Sequence, residues 1–294
     1  MKGSEIIYKC PFGQVNGRQY QLLTLAQPIF LEAARTGSYL PIDWSAIRCE
    51  YQGHLGILFV SSDVLTLGEP DDFFRANVSA VTAQKIADTL GLRLPTPKIC
   101  DLIHQNSVVK VEPCTRDVEG HTIDMMTVPW MVDHSVCVGQ KIGAQPGLAS
   151  SLGKDWVLCK HLEINPSSAV NYGWYSARAP RHPDYISVTG HMPLWQPLGS
   201  KHNHDHVDYS QTLRLVQPTI IVDGVTMLLD DVLRSIELAP MVSHEGALSV
   251  VRQPGVPMAP PTDPPPTLRD PSAVLMPFIV DNLVDAINNA GKRP

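Results

Sequence analysis

Apolar positions run without a break over 57–60, inside a β-prone stretch covering 51–67, and such a run predicts a strand covered on both faces. Further along, the period changes. Ile86 and Leu90 stand one helical turn apart and Gly91 falls where a helix would stop, which predicts a short helix over 82–91. A second helix is expected after Leu94-Pro95: Thr96 can cap it, Pro97 suits its first position, and Ile99, Leu102 and Ile103 share one face. From Ser107 to Val216, short β-prone runs alternate with Gly, Pro and Asn breaks, and no long regular helix is expected. Strands are predicted over 170–175, 185–188 and 212–216. Asp223-Gly224, set between two apolar runs, predicts a two-residue hairpin turn.

Composition changes the picture at the C-terminus. The chain has 294 residues and 26 prolines against 20 glycines, and seven prolines lie between Pro254 and Pro277. So many missing backbone donors exclude helix and central strand, and predict an extended linker over 251–278. Beyond it, Leu283, Val284 and Ile287 fall on one face of a short amphipathic helix within 279–294, suited to docking on another surface. The expected fold is α+β: mixed or antiparallel β-structure with a packed helix-loop-helix, a proline-rich C-terminal arm and a short terminal helix. The main domain is placed at 51–250, with 1–50 as an N-terminal segment packed on it.

Charge removes some partners. With 23 Lys+Arg against 29 Asp+Glu the formal charge is −6, and the basic residues are scattered, so the positive stripe needed for nucleic acid is missing. No run reaches the ~18 apolar residues of a membrane span, and the first residues lack the apolar core of a signal peptide. A cytoplasmic or virion-associated location is expected. The six cysteines are far apart with no Cys-x-x-Cys pair, and read as reduced, mostly buried thiols.

The densest polar cluster is 201–210. If it is extended, His202, His204, His206 and Asp208 share one face, and imidazoles two residues apart can share a divalent metal such as zinc. The plainer reading is a solvated, histidine-rich loop. Lys154 and Asp155 adjoin before a β-prone run, and strand neighbours face opposite sides, so at most one of them faces a cleft. Tyr172 and Trp174, two apart in a predicted strand, would share a face and form a stacking wall for a sugar or peptide, although such aromatics more often fill a core. His191, Gln196 and Tyr209 are candidate substrate contacts around the same site. Ser210 has no Gly-x-Ser-x-Gly elbow. Cys137 with His134 and Cys159 with His161 are close in sequence, which proves no Cys–His pair.

Several runs together resemble a family of largely uncharacterised bacterial and phage-associated proteins: Thr82 to Asp88, Leu94 to Lys98, Lys154-Asp155, Tyr172-Gly173-Trp174, Gln196-Pro197-Leu198, His202, Val207 to Ser210, Arg214-Leu215-Val216 and Leu238 to Gly246. The resemblance covers residues 55–246 and carries no established activity. The family pattern includes Lys-Lys-Asp, Tyr-Gly-Trp-His and Asp-Tyr-Ser-His-Gly runs. Here Gly153 takes the place of the first Lys, Tyr175 that of the His after Trp174, and Gln211-Thr212 that of His-Gly after Ser210. If either family histidine is the general base, the resemblance implies an inactive copy. His204 and His206 fall where the pattern varies, which moves attention from a metal to Lys154, Asp155, Tyr172, His202, Asp208 and Ser210.

Two functions are expected from these residues. The first is a hydrolase acting on a cell-envelope polymer, peptidoglycan or a related glycan or peptide. In it Asp208 or His202 handles protons, Lys154 stabilises an oxyanion, Ser210 is a candidate nucleophile, and Tyr172 and Trp174 position substrate. The second is a phage virion or assembly protein whose proline arm and terminal helix bind a neighbouring subunit or a second copy of the chain.

Overall fold

Two four-stranded sheets organise the chain in the computed structural model, which describes residues 1–180 and 182–261. In chain order the first elements are α1 (Gly3–Tyr8), β1 (Phe12–Val15), β2 (Arg18–Gln21), α2 (Leu23–Arg35), β3 (Trp44–Tyr51), β4 (His54–Ser61), β5 (Thr66–Glu69) and β6 (Asp72–Arg75). Then come α3 (Ala80–Thr89), α4 (Pro97–Asn106), β7 (Val109–Lys110), α5 (Val128–Ile142), β8 (Ala149–Ser150), β9 (Lys154–Trp156), α6 (His161–Ile164) and β10 (Ser168–Tyr175). The last are β11 (Leu194–Asn203), β12 (Gln211–Thr212), β13 (Val216–Val222), β14 (Val225–Leu228) and α7 (Leu229–Arg234). The class is α+β.

The first sheet, ordered β14-β13-β4-β3, is antiparallel throughout. Its strand β4 carries the unbroken apolar run, and residues 57–60 are buried, as their pattern requires. The β3–β4 hairpin means that residues 1–50 supply a strand of this sheet. Asp223 and Gly224 take positive φ angles of 50° and 84° in the β13–β14 turn, the geometry that the Asp-Gly pair predicts.

The second sheet, ordered β11-β10-β9-β12, is antiparallel except for the β9/β12 pair. Residues 213–215 do not continue as a strand. They cross from β12 to β13, and the Leu213 and Leu215 carbonyls accept from the Leu65 and Ser61 N–H groups. The predicted strand over 185–188 is also corrected: Pro183–Tyr185 is a 3-10 turn, and only Ile186 makes a bridge, to Pro193. The Val188 N–H donates to the Tyr172 hydroxyl at 2.8 Å, so it serves a side chain and not a strand ladder.

Helices α3 and α4 form the expected helix-loop-helix. Ser79 Oγ accepts from Thr82 N–H and Thr96 Oγ1 from Ile99 N–H, each at 3.2 Å, and Gly91 takes φ 67° beyond α3. Ile86, Ala87 and Leu90 enter the largest apolar cluster with Phe30, Phe59 and Trp156, which joins α2, both sheets and α3. Helix α5 overturns the expectation that the middle of the chain lacks a long helix. Its buried stripe is Val128, Met131, His134, Ser135 and Val138, and two polar members hide the helical period.

A disulfide joins Cys114 to Cys137, correcting the reading of all six cysteines as thiols. Sequence distance conceals the pairing, because the irregular strap between β7 and α5 folds back along the helix. The other four cysteines are free and buried. Among the described residues no helix is long and apolar enough to cross a membrane. The terminal helix and the linker beyond residue 261 lie outside the described residues.

Candidate functional site

Backbone strain in β10 decides what meets what. Gly173 and Trp174 take φ values of 117° and 64°, so the side-chain alternation is broken after Tyr172. Tyr172 and Tyr175 then share one side: their hydroxyls donate to Asp101 Oδ1 at 2.9 and 2.6 Å. Trp174 turns the other way. The expected Tyr172–Trp174 wall does not form, because a strand with two left-handed residues no longer repeats every second position.

On the Trp174 side, four elements converge. Lys154 at the start of β9 places Nζ 5.2 Å from the centre of the Trp174 ring and 3.5 Å from Asp208 Oδ2. Asp208 Oδ1 accepts from the Ser210 N–H at 2.8 Å and from its hydroxyl at 2.6 Å, and the Asp208 N–H donates to Gln211 Oε1 at 2.9 Å. Burial alone would push the Asp208 carboxyl up, but Lys154, the nearby His206 ring and the two Ser210 donors outweigh it and hold the group far below the usual carboxylate range. Asp208 is therefore a fixed anion, unsuited to handing protons back and forth at neutral pH. Ser210 is fully buried and committed to Asp208, which corrects its candidacy as a nucleophile. The pair is a local turn motif that shapes the chain entering β12.

The histidine run is divided. β11 ends at Asn203 and a turn follows, so the extended geometry that would align three imidazoles stops after His202. His202 and His206 stack with ring centres 3.9 Å apart and planes within 3°, and His206 Nε2 lies 3.9 Å from Asp208 Oδ2. His204 is turned away, with Nε2 3.6 Å from Asp205 Oδ2 and its ring beside Gly255. Among the described residues no three His, Cys, Asp or Glu side chains are placed to hold a metal. The zinc set His202, His204, His206 is thus corrected. Partial burial, aided by His206, lowers the pKa of His202, leaving a neutral base at pH 7.

Other expected members lie elsewhere. Asp155 faces away from Lys154, as strand alternation demands, and accepts from Thr212 Oγ1 at 2.9 Å; burial raises it to about 6 despite Arg214 and Thr212. His191 is exposed and its charge acts on Asp101, while the Gln196 amide donates to the Pro197 carbonyl at 2.9 Å. Tyr209 belongs to the site: its ring centre is 6.4 Å from Trp174 and 5.5 Å from Trp130. The strap holds it, with Arg116 N–H donating to its hydroxyl at 3.0 Å and its own N–H donating to the Met125 carbonyl at 2.8 Å.

In the sequence His134 stands out only as a neighbour of Cys137, and the disulfide removes that thiol. The structure places His134 at the centre of the site, 6.0 Å from the Trp174 ring and 5.6 Å from the Tyr209 ring. It is fully buried, and neither ring nitrogen has a hydrogen-bond partner. Burial drives its pKa down to about 3, so the ring is neutral. The signal that could have found it is its place on the buried stripe of α5.

Gly153 and Thr212 are neighbours in space. A Cβ at residue 153 would run into the Thr212 side chain and fall 2.7 Å from the Ser210 carbonyl oxygen, so the backbone there already demands glycine. No family model, no curated protein and no solved structure matches the chain. Roles at the site therefore rest on its geometry.

Proposed function

We propose that the chain is a hydrolase in which His202 is the general base and Lys154 stabilises the developing oxyanion, acting on a carbonyl-bearing linkage of a cell-envelope polymer. The observation that carries it is the convergence of a neutral, half-buried His202, its stacked partner His206 and an oriented Lys154–Asp208 pair beside the Trp174 and Tyr209 rings. In the step, His202 removes a proton from water as the oxygen adds to the carbonyl carbon, and Lys154 offsets the negative charge on the carbonyl oxygen. The carbon–nitrogen bond then breaks and His202 returns the proton to the leaving amine. Asp208 takes no proton; it positions Lys154.

Release of dye from labelled cell walls tests this. Lys154→Ala and His202→Ala are each expected to lose about 100-fold or more in rate. Because His202 titrates below its ordinary 6.5, the rate should be flat near pH 7 and fall only under pH 6.5. Equal rates in all three proteins remove the proposal.

A second reading, a virion or assembly scaffold, is favoured by the closure of the site: Ser210 and His134 are fully buried under the strap. Particle mass with and without residues 254–294 tests it. A monomer in both cases rejects it.

A further inference from the structure

Buried polar atoms without partners are rare because each one forfeits its hydrogen bonds to water. The site gathers several. Both nitrogens of His134 and the indole Nε1 of Trp174 are shielded from solvent and unpaired, and so is Nε2 of Gln211, one residue past Ser210. The indole N–H can only donate; a neutral imidazole offers one donor and one acceptor. This inventory matches an amide, whose carbonyl accepts and whose N–H donates. It suits a carboxylate poorly, since Asp208 already balances Lys154 and a second buried anion would stand unpaired. The faces of Trp174 and Tyr209 supply apolar contact for a methyl or methylene beside that amide.

We propose that His134 and Trp174, walled by Tyr209 and Lys154, form a subsite for an amide group of the substrate: the acetamido group of an N-acetylated sugar or a peptide amide. This rests on the hydrolase reading and names the substrate class at that same site. Entry requires the strap to part from Tyr209, where two hydrogen bonds hold it, from Arg116 and to Met125. The Cys114–Cys137 bond keeps one end of the strap fixed to α5 while the rest moves.

Calorimetric titration of the intact chain tests the subsite without turnover. Three probes are compared: a tetramer of N-acetylglucosamine, the same tetramer fully de-N-acetylated, and acetyl-Ala-Ala. They are used at physiological salt, because the deacetylated sugar is cationic and the chain is negative. At least a tenfold preference for the acetylated over the deacetylated sugar assigns the subsite to sugar acetamido groups. Binding of acetyl-Ala-Ala in its place assigns it to peptide amides. In either case His134→Phe should abolish binding of the preferred probe, and His134→Gln, which keeps a donor and an acceptor, should retain part of it. Binding of all three within twofold, or of none, overturns the proposal, since the unpaired atoms then serve ordered water alone. Binding without release of dye from labelled walls leaves the subsite and removes the hydrolase; release of dye without discrimination does the reverse.

Discussion

Asp101 and Asp208 are both almost fully buried beside β10, on opposite sides, and they have opposite fates. Asp101 receives two tyrosine hydroxyls and the Thr189 N–H at 3.2 Å, but no lysine or arginine pairs with it, and burial raises its pKa to about 6. Asp208 meets Lys154 and stays ionised. Neutral donors favour the ionised form of both carboxyls, but only beside Asp208 does a lysine add enough to outweigh burial. The Asp101 side reads as a cross-link between α4, β10 and the loop at 187–190. The Asp208 side combines an ion pair with unpaired buried polar atoms beneath the strap, which is where the proposed chemistry is placed.

The largest test of this contrast is Asp208→Ala. Lys154 is left near a buried, unpaired position and the Ser210 turn loses its acceptor, so unfolding free energy should fall by about 3–5 kcal/mol in urea titration. A loss under 1 kcal/mol would mean that the ion pair does not organise this side. Next is Cys114→Ser with Cys137→Ser. The bridge spans 23 residues in sequence, and its removal should cost about 3 kcal/mol, with hydrogen exchange rising in the strap and not around Asp101. Faster exchange on both sides would show that the two neighbourhoods are coupled.

The pH dependence separates the carboxylates more finely. Asp101 is raised from 3.8 to about 6, so its protonated form stabilises the fold fully below pH 3.8 and that contribution is lost as pH rises through 6. The change is about 2–3 kcal/mol, and Asp101→Asn should flatten it. Asp208 has the reverse sign, contributing above pH 3.8 and losing the contribution as pH falls below that. The smallest effect expected is a gain. His134→Phe removes two unpaired buried nitrogens and should raise the melting stability by about 1 kcal/mol at pH 7. Because His134 is lowered to about 3, wild type should weaken relative to this variant as pH falls from 6.5 toward 3.

Much of the fold was legible where one residue acts locally: the Ser79 and Thr96 caps border the expected helices, and Asp223-Gly224 turns the expected hairpin. Around the candidate site, the chain's order shows Lys154, Trp174, Tyr209, His202 and Asp208 as polar and aromatic types, and the fold brings them near one another. What escaped depended on contacts between distant segments. Helix α5 was hidden because His134 and Ser135 interrupt its apolar stripe, and they are tolerated there only because the fold buries them. The disulfide required knowing that the strap doubles back. Ser210 and His204 look reactive by type, yet reactivity needs exposure or convergence, and neither is written in the chain's order.

Gly173 and Trp174 bring one further consequence. A regular strand has two columns of side chains, and chemistry alone decides which residue suits which column. In β10 the columns exchange midway through two left-handed residues, at a cost on the order of 1–3 kcal/mol for a tryptophan in that region. Which ring reaches Lys154 is thus governed by chain length: deleting a single residue between Asn171 and Trp174 would exchange the two neighbourhoods without altering any remaining side chain.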